Sequence, residues 1–118
     1  MAYVDGFVLP VPKKNLAAYR RMAKQAGKVW KEHGALEYRE CVGDDLVHKM
    51  GGLFPKMTKL KKNETVMFSW AVYKSKAHRN AVNKKIMKDP RILRMMKSPM
   101  PFDDKRMAFG GFKIMVDM

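Results

Sequence analysis

The run Tyr3-Val4-Asp5-Gly6-Phe7-Val8-Leu9 is dense in β-forming residues. The pattern predicts a first strand over Tyr3 to Val11, and Pro10 within it points to a sheet edge or a strand end. The period then changes. Leu16, Tyr19, Met22, Ala23, Ala26, Val29, Trp30 and His33 recur at spacings of three and four, filling an arc of roughly 140° on a helix. They predict a helix over Lys13 to His33 with Gly34 just past its end. A second strand is expected from Ala35 to Val42, closed by Gly43-Asp44-Asp45. Leu46 to Glu64 holds Gly51-Gly52, Pro55 and a Lys-dense stretch, and predicts a connection with a short helical turn and a mobile part. Thr65 to Tyr73 is a third strand. Ser75 is placed to cap a helix over Lys76 to Lys88, stopped by Asp89-Pro90. A short helical piece over Arg91 to Lys97 and a Ser98–Pro101 connector lead to a fourth strand, Lys105 to Val116. Gly110-Gly111 interrupts it as a bulge or a close backbone approach.

The order is β-α-β, a connection, then β-α-β, in one domain spanning residues 1–118. This is the split βαβ pattern of a ferredoxin-like α+β fold with an antiparallel sheet. Such a sheet carries helices on one face only. Side chains alternate along a strand, so Tyr3, Asp5 and Phe7 share a face, as do Leu36, Tyr38 and Glu40, and Val66, Phe68, Trp70 and Val72. Met107 and Phe109 share one on strand four. An apolar face of that size calls for a cover, and a homodimer packed sheet against sheet supplies it. The expectation is that Asp5 and Glu40 lie on this uncovered face and that the dimer encloses them in an apolar cavity.

Composition narrows the classes. Twenty-five Lys and Arg against eleven Asp and Glu give a net charge of +14, which invites polyanions. Yet Arg20, Lys24, Lys28 and Lys31 fall within about 80° of helix one and read as a solvated face. No nucleic-acid motif accompanies them, so nucleic-acid binding is expected to be non-specific and steeply salt-dependent. No apolar run reaches the roughly 20 residues that span a bilayer, so no membrane partner is expected. Cys41 is the only cysteine, and no secretory leader pattern opens the chain; both favour a cytoplasmic protein.

Tyr-Val-Asp-Gly-Phe (3–7), Gly-Lys-Val-Trp-Lys-Glu-His-Gly-Ala-Leu-Glu-Tyr (27–38), Phe-Ser-Trp-Ala-Val-Tyr-Lys-Ser-Lys-Ala-His-Arg-Asn-Ala-Val-Asn (68–83) and Met-Pro-Phe-Asp-Asp-Lys-Arg-Met-Ala-Phe-Gly-Gly-Phe (100–112) resemble the YbaA-like family of small bacterial proteins, a domain-of-unknown-function family. The resemblance covers nearly the whole chain. It implies a dimeric α/β barrel and supplies no reaction.

The candidate chemistry is therefore read from residues alone. Asp5 and Glu40 are candidate acid–base or anchoring carboxylates, or else partners of Arg39, Arg106 or another cation. Tyr3, Phe7, Tyr38, Phe68, Trp70 and Phe109 are candidate pocket walls. His33, His48 and His78 show no zinc-like spacing and read as packed, hydrogen-bonded residues; no metal or other cofactor is expected. Cys41, on the face opposite Glu40, is expected to point at the helices as a small apolar group. Three functions remain open: a small-molecule-binding homodimer with or without proton-abstraction or cofactor-free oxidation chemistry, a polyanion binder, and an interaction module with a filled dimer core.

Overall fold

The computed structural model describes residues 1–47 and 51–118; His48 and its two following neighbours, part of the connection expected from Leu46 to Glu64, lie outside the described residues. Strands β1 (Tyr3–Pro12), β2 (Glu37–Val42), β3 (Glu64–Tyr73) and β4 (Ala108–Lys113) form one antiparallel sheet in the order β2-β3-β1-β4. Helix α1 (Leu16–His33) follows β1 through a single 3-10 turn, a short α2 (Phe54–Met57) lies in the connection, and α3 (Lys76–Ile86) and α4 (Pro90–Lys97) follow β3. Val29 of α1, Val82 and Ile86 of α3 and Ile92 of α4 pack in one buried cluster with Tyr3, Ala71 and Tyr73 of the sheet. All three long helices therefore cover the same sheet face, the ferredoxin-like α+β arrangement that the element order predicts.

Register explains the core. Tyr3 pairs with Tyr73, Asp5 with Ala71, Phe7 with Ser69 and Leu9 with Met67, so these side chains point together at the helices. A second cluster joins Leu9, Val11 and Met67 to Tyr19 and Ala23 of α1. Each large apolar side chain sealed this way contributes about 1.5–3 kcal/mol.

β1 is a central strand, so of the two readings of Pro10 the strand end holds and the sheet edge does not. The Val66 carbonyl accepts from Gly43 N–H at 2.7 Å, so Val66 spends its backbone groups away from β1. Its partner Pro10 therefore turns its nitrogen toward the β4 side, where pairing has already ended at Val8 and Ala108. The missing N–H costs no ladder bond there. β4 is also shorter than expected, and its register runs through Gly110 and Gly111 without a bulge. The glycines instead permit close approach: a Cβ on Gly111 would collide with the Tyr3 ring and hydroxyl.

Helix ends follow local chemistry. Gly34 takes φ 120° at the end of α1, and Ser75 Oγ accepts from His78 N–H at 3.0 Å. Asp89-Pro90 not only follows the end of α3, which comes at Ile86; it also starts α4, with Asp89 accepting from Arg91 N–H and Pro90 at the first turn.

The Lys-rich connection has fixed anchors. Thr58 is 2% exposed and donates its hydroxyl to the Phe54 carbonyl at 2.9 Å. At the start of β3, Glu64 accepts two Arg106 bonds of 2.8 and 2.7 Å, while the same guanidinium reaches Asp103 and the Lys59 carbonyl. This fork ties the connection to the turn before β4. Arg106 holds the Glu64 carboxyl at about 2, with further help from the Lys61 backbone. A carboxyl depressed in the folded state adds stability above its unfolded value near 4.5 and loses it as the pH falls toward 2. Arg106→Ala should therefore cost about 3 kcal/mol at pH 7 in urea unfolding. Its deficit should shrink between pH 4.5 and pH 2.5; a deficit independent of pH would contradict this.

Candidate functional site

The two acids face the helices, opposite to the expected side. Both belong to the inner surface between sheet and helices, but in separate places. Asp5 lies opposite Ala71 and Glu40 opposite Ser69. With β3 between their strands, their backbones stand roughly 12 Å apart by sheet geometry. They cannot share a proton.

Asp5 is committed to α3. Arg79 Nη1 donates to Asp5 Oδ1 at 2.6 Å, and the guanidinium lies 4.9 Å over the Tyr3 ring. Burial pushes the Asp5 carboxyl up, opposed by the Arg79 charge and by hydrogen bonds from Arg79 and Asn83. The cation is thus Arg79, not Arg39 or Arg106, which serve Glu37 and Glu64. With Tyr3 buried beneath this pair, the Asp5 side of the inner surface is closed.

Glu40 stands in an opening. β2 is an edge strand, and α1 crosses above it to leave a cavity of about 670 Å³ lined by Leu16, Tyr19, Ala23, Tyr38, Val42 and Met67 around Glu40. Gly27 sets the depth. A Cβ there would come within 2.9 Å of the Tyr38 ring, so only glycine lets the helix sit this low, against a helix-interior cost of about 1 kcal/mol. Tyr19 Oη donates to both Glu40 oxygens, at 3.2 and 3.0 Å. The Ser69 and Tyr38 hydroxyls also favour its charged form. Burial nevertheless dominates and pushes the Glu40 carboxyl up. The same dry surroundings, with the Glu40 charge beside them, push the Tyr19 and Tyr38 hydroxyls well above their ordinary range, so both remain donors at neutral pH.

The proposed pocket walls divide between two faces. Tyr38 lines the cavity, while Tyr3 and Phe7 are packed in or beside the two cores. Phe109 stacks on Phe7 at 6.2 Å, on the helix side but beyond the cavity. Phe68 and Trp70 lie on the outer face, 5.6 Å apart, where Trp70 Nε1 donates to Glu37 at 3.0 Å. Cys41 is there too, beside Phe54 and Phe68, rather than under the helices. His33 bonds Asp89 at 2.8 Å, and His78 Nδ1 accepts from Lys74 N–H at 3.0 Å. Among the described residues no His, Cys, Asp or Glu group converges to hold a metal ion.

Three features escaped the sequence reading. Tyr19 counted as one more apolar-stripe residue. Gly27 had a signal: a helix-interior glycine without a capping role implies close approach. Arg20, Lys24, Lys28 and Lys31 also line the cavity mouth and are not simply a solvated face.

A four-stranded antiparallel sheet with its three long helices on one face has the fold of the dimeric α/β barrel class. A solved structure of this fold, Rv0793 from Mycobacterium tuberculosis, is similar with a TM-score of 0.58 at 13% identity, covering 99% of this chain and 98% of that one; the likeness concerns fold alone. The chain belongs to the family described as "Protein of unknown function (DUF1428)", which it matches over residues 2–104. It is 46% identical over 117 residues to the proteins titled "Uncharacterized protein YbaA" of Escherichia coli K12 and of Shigella flexneri, with 99% of each chain covered.

A carboxyl raised in the folded state favours folding below its unfolded value, near 4.5 here, and loses that contribution as the pH rises through the folded value. Glu40→Gln should thus melt about 3–6 °C above the parent at pH 8, the effect of roughly 1 kcal/mol on a domain of this size. The gap should close toward pH 4.5; an equal gap at both pH values would contradict the assignment.

Proposed function

We propose that this protein is a homodimer that binds a small molecule in the cleft between α1 and β2 of each protomer, with Glu40 as the acid–base group. The observation that carries this reading is one carboxyl, desolvated and held by the Tyr19 hydroxyl, inside an apolar cavity of about 670 Å³ that opens to solvent. Clefts of this size and polarity are typical of small-molecule sites. A carboxylate whose proton affinity is raised by burial suits proton abstraction from a ligand C–H or O–H, the first step of an isomerisation or of a cofactor-free oxidation of an activated ring. Asp5 has no part in it, because Arg79 occupies it.

The dimer is placed on the outer sheet face. Val4, Val8, Val72, Phe112, Phe68 and Trp70 lie on this side by register, and no helix of α1, α3 or α4 covers them. Phe68 is 45% and Phe112 61% exposed, more apolar surface than a solitary protomer ordinarily shows. A twofold contact of this face with itself removes it from water. No helix among the described residues is long and apolar enough to cross a membrane, and Cys41 has no partner cysteine. We place the dimer in the cytoplasm.

Sedimentation of the parent at micromolar concentration should give a dimer, and Phe68→Glu with Phe112→Glu a folded monomer; a monomeric parent rejects the assembly. Thermal-shift screening of metabolites should yield a compound that stabilises the parent by at least about 2 °C. Val42→Trp, which fills the cleft from its exposed β2 side, should abolish that gain, and an unchanged gain would move the site elsewhere.

A further inference from the structure

The cleft has a mouth of one charge. Arg20, Lys24, Lys28 and Lys31 line it from α1, and their spacing confines them to an arc of about 80° along that helix. The acids nearest in sequence are turned elsewhere. Glu32 is held by Arg91 at 2.6 Å, and Glu37 accepts from Trp70 and Arg39. Lys31 reaches the Leu36 carbonyl at 2.8 Å, and among the described residues none of the four cations enters an ion pair. Uncompensated charge of one sign around a low-dielectric cleft focuses its field into the opening.

Below this rim the walls are apolar: Leu16, Ala23, Gly27, Val42 and Met67. Glu40 is the one carboxylate among the lining residues. We infer that the ligand is an amphipathic anion, an apolar chain or ring bearing a carboxylate or a similar small anionic group that is held at the mouth by Arg20, Lys24, Lys28 and Lys31. The inference rests on the cleft reading above and adds the ligand's chemistry and orientation. An anion driven inward would meet Glu40 in a dry site, where like charges repel strongly. The ligand therefore enters apolar end first, and any hydroxyl or acidic C–H it presents to Glu40 lies at the inner end. A bare polyanion would satisfy the rim but leave the apolar walls uncovered, which is why a small amphipath fits better than a nucleic acid.

The test is calorimetric titration of the full-length protein, in physiological salt, with decanoate, decanol, decylamine and tripolyphosphate. Decanoate should bind at least about tenfold tighter than decanol, and decylamine weakest. Lys24→Glu with Lys28→Glu should cost decanoate about tenfold and leave decanol unchanged. A control reversal of two exposed α3 lysines, Lys76→Glu with Lys84→Glu, should leave decanoate binding intact. Equal affinity of the decyl probes, or equal loss in the control, would overturn the inference while leaving the cleft in place. Tripolyphosphate binding as tightly as decanoate would overturn it in favour of polyanion capture. If none of the decyl probes bound, and Val42→Trp behaved as the parent did, the cleft reading itself would fall, and the inference with it.

Discussion

The three long helices all lie on one face of the sheet, with only the short α2 touching the other through Phe54 against Phe68, and this divides the strand residues between two environments. That division organises the molecule. On the covered face, Tyr3, Leu9, Val11, Met67, Ala71 and Tyr73 meet Tyr19, Ala23, Val29, Val82, Ile86 and Ile92 and exclude water. On the other face lie Phe68, Trp70 and Phe112, with Phe68 and Phe112 exposed. Polar groups caught on the covered face must be bonded there or cost free energy. Arg79 satisfies Asp5; the Tyr19 hydroxyl bonds Glu40. In the first case an ion pair closes the surface. In the second the edge position of β2 leaves it open.

The cleft lies where α1 meets the edge strand β2. Gly27 lowers the helix onto Tyr38, and beyond that contact the helix surface turns into its basic stripe. A carboxyl that burial drives toward its neutral form, retained in a cavity large enough for a ligand, is a local cost of the kind that functional sites carry. The net charge of +14 also acquires a local role at the cavity mouth.

Much of the fold was legible in the residues. Element order, the span of α1, the Gly34 terminus and the Ser75 cap follow from periodicity and capping chemistry, which are local. Within each strand the parity was legible as well: Tyr3, Asp5 and Phe7 do share a face, and so do Phe68 and Trp70. Which parity meets the helices was not. Alternation identifies a buried face only when the other is polar, and here both are rich in apolar residues. Asp5 and Glu40 were consequently assigned to the wrong side, and Cys41 with them. Pro10 left an edge and a strand end open for a related reason: whether a strand proline loses a ladder bond depends on where the neighbouring strand ends, here at the Val8–Ala108 pair. Arg79 as the partner of Asp5, 74 positions away, and Tyr19 as that of Glu40 are consequences of tertiary packing that no local pattern encodes.

The central claim is that the space between α1 and β2, and not the outer sheet face, receives a ligand. It is tested most directly by mapping amide and side-chain NMR shifts of the labelled protein as decanoate is added. The account predicts perturbations concentrated at Tyr19 to Lys31 and Tyr38 to Val42, together with a change at the Glu40 carboxyl carbon. Perturbations centred on Phe68, Trp70 and Phe112, or spread evenly over the surface lysines, would contradict it.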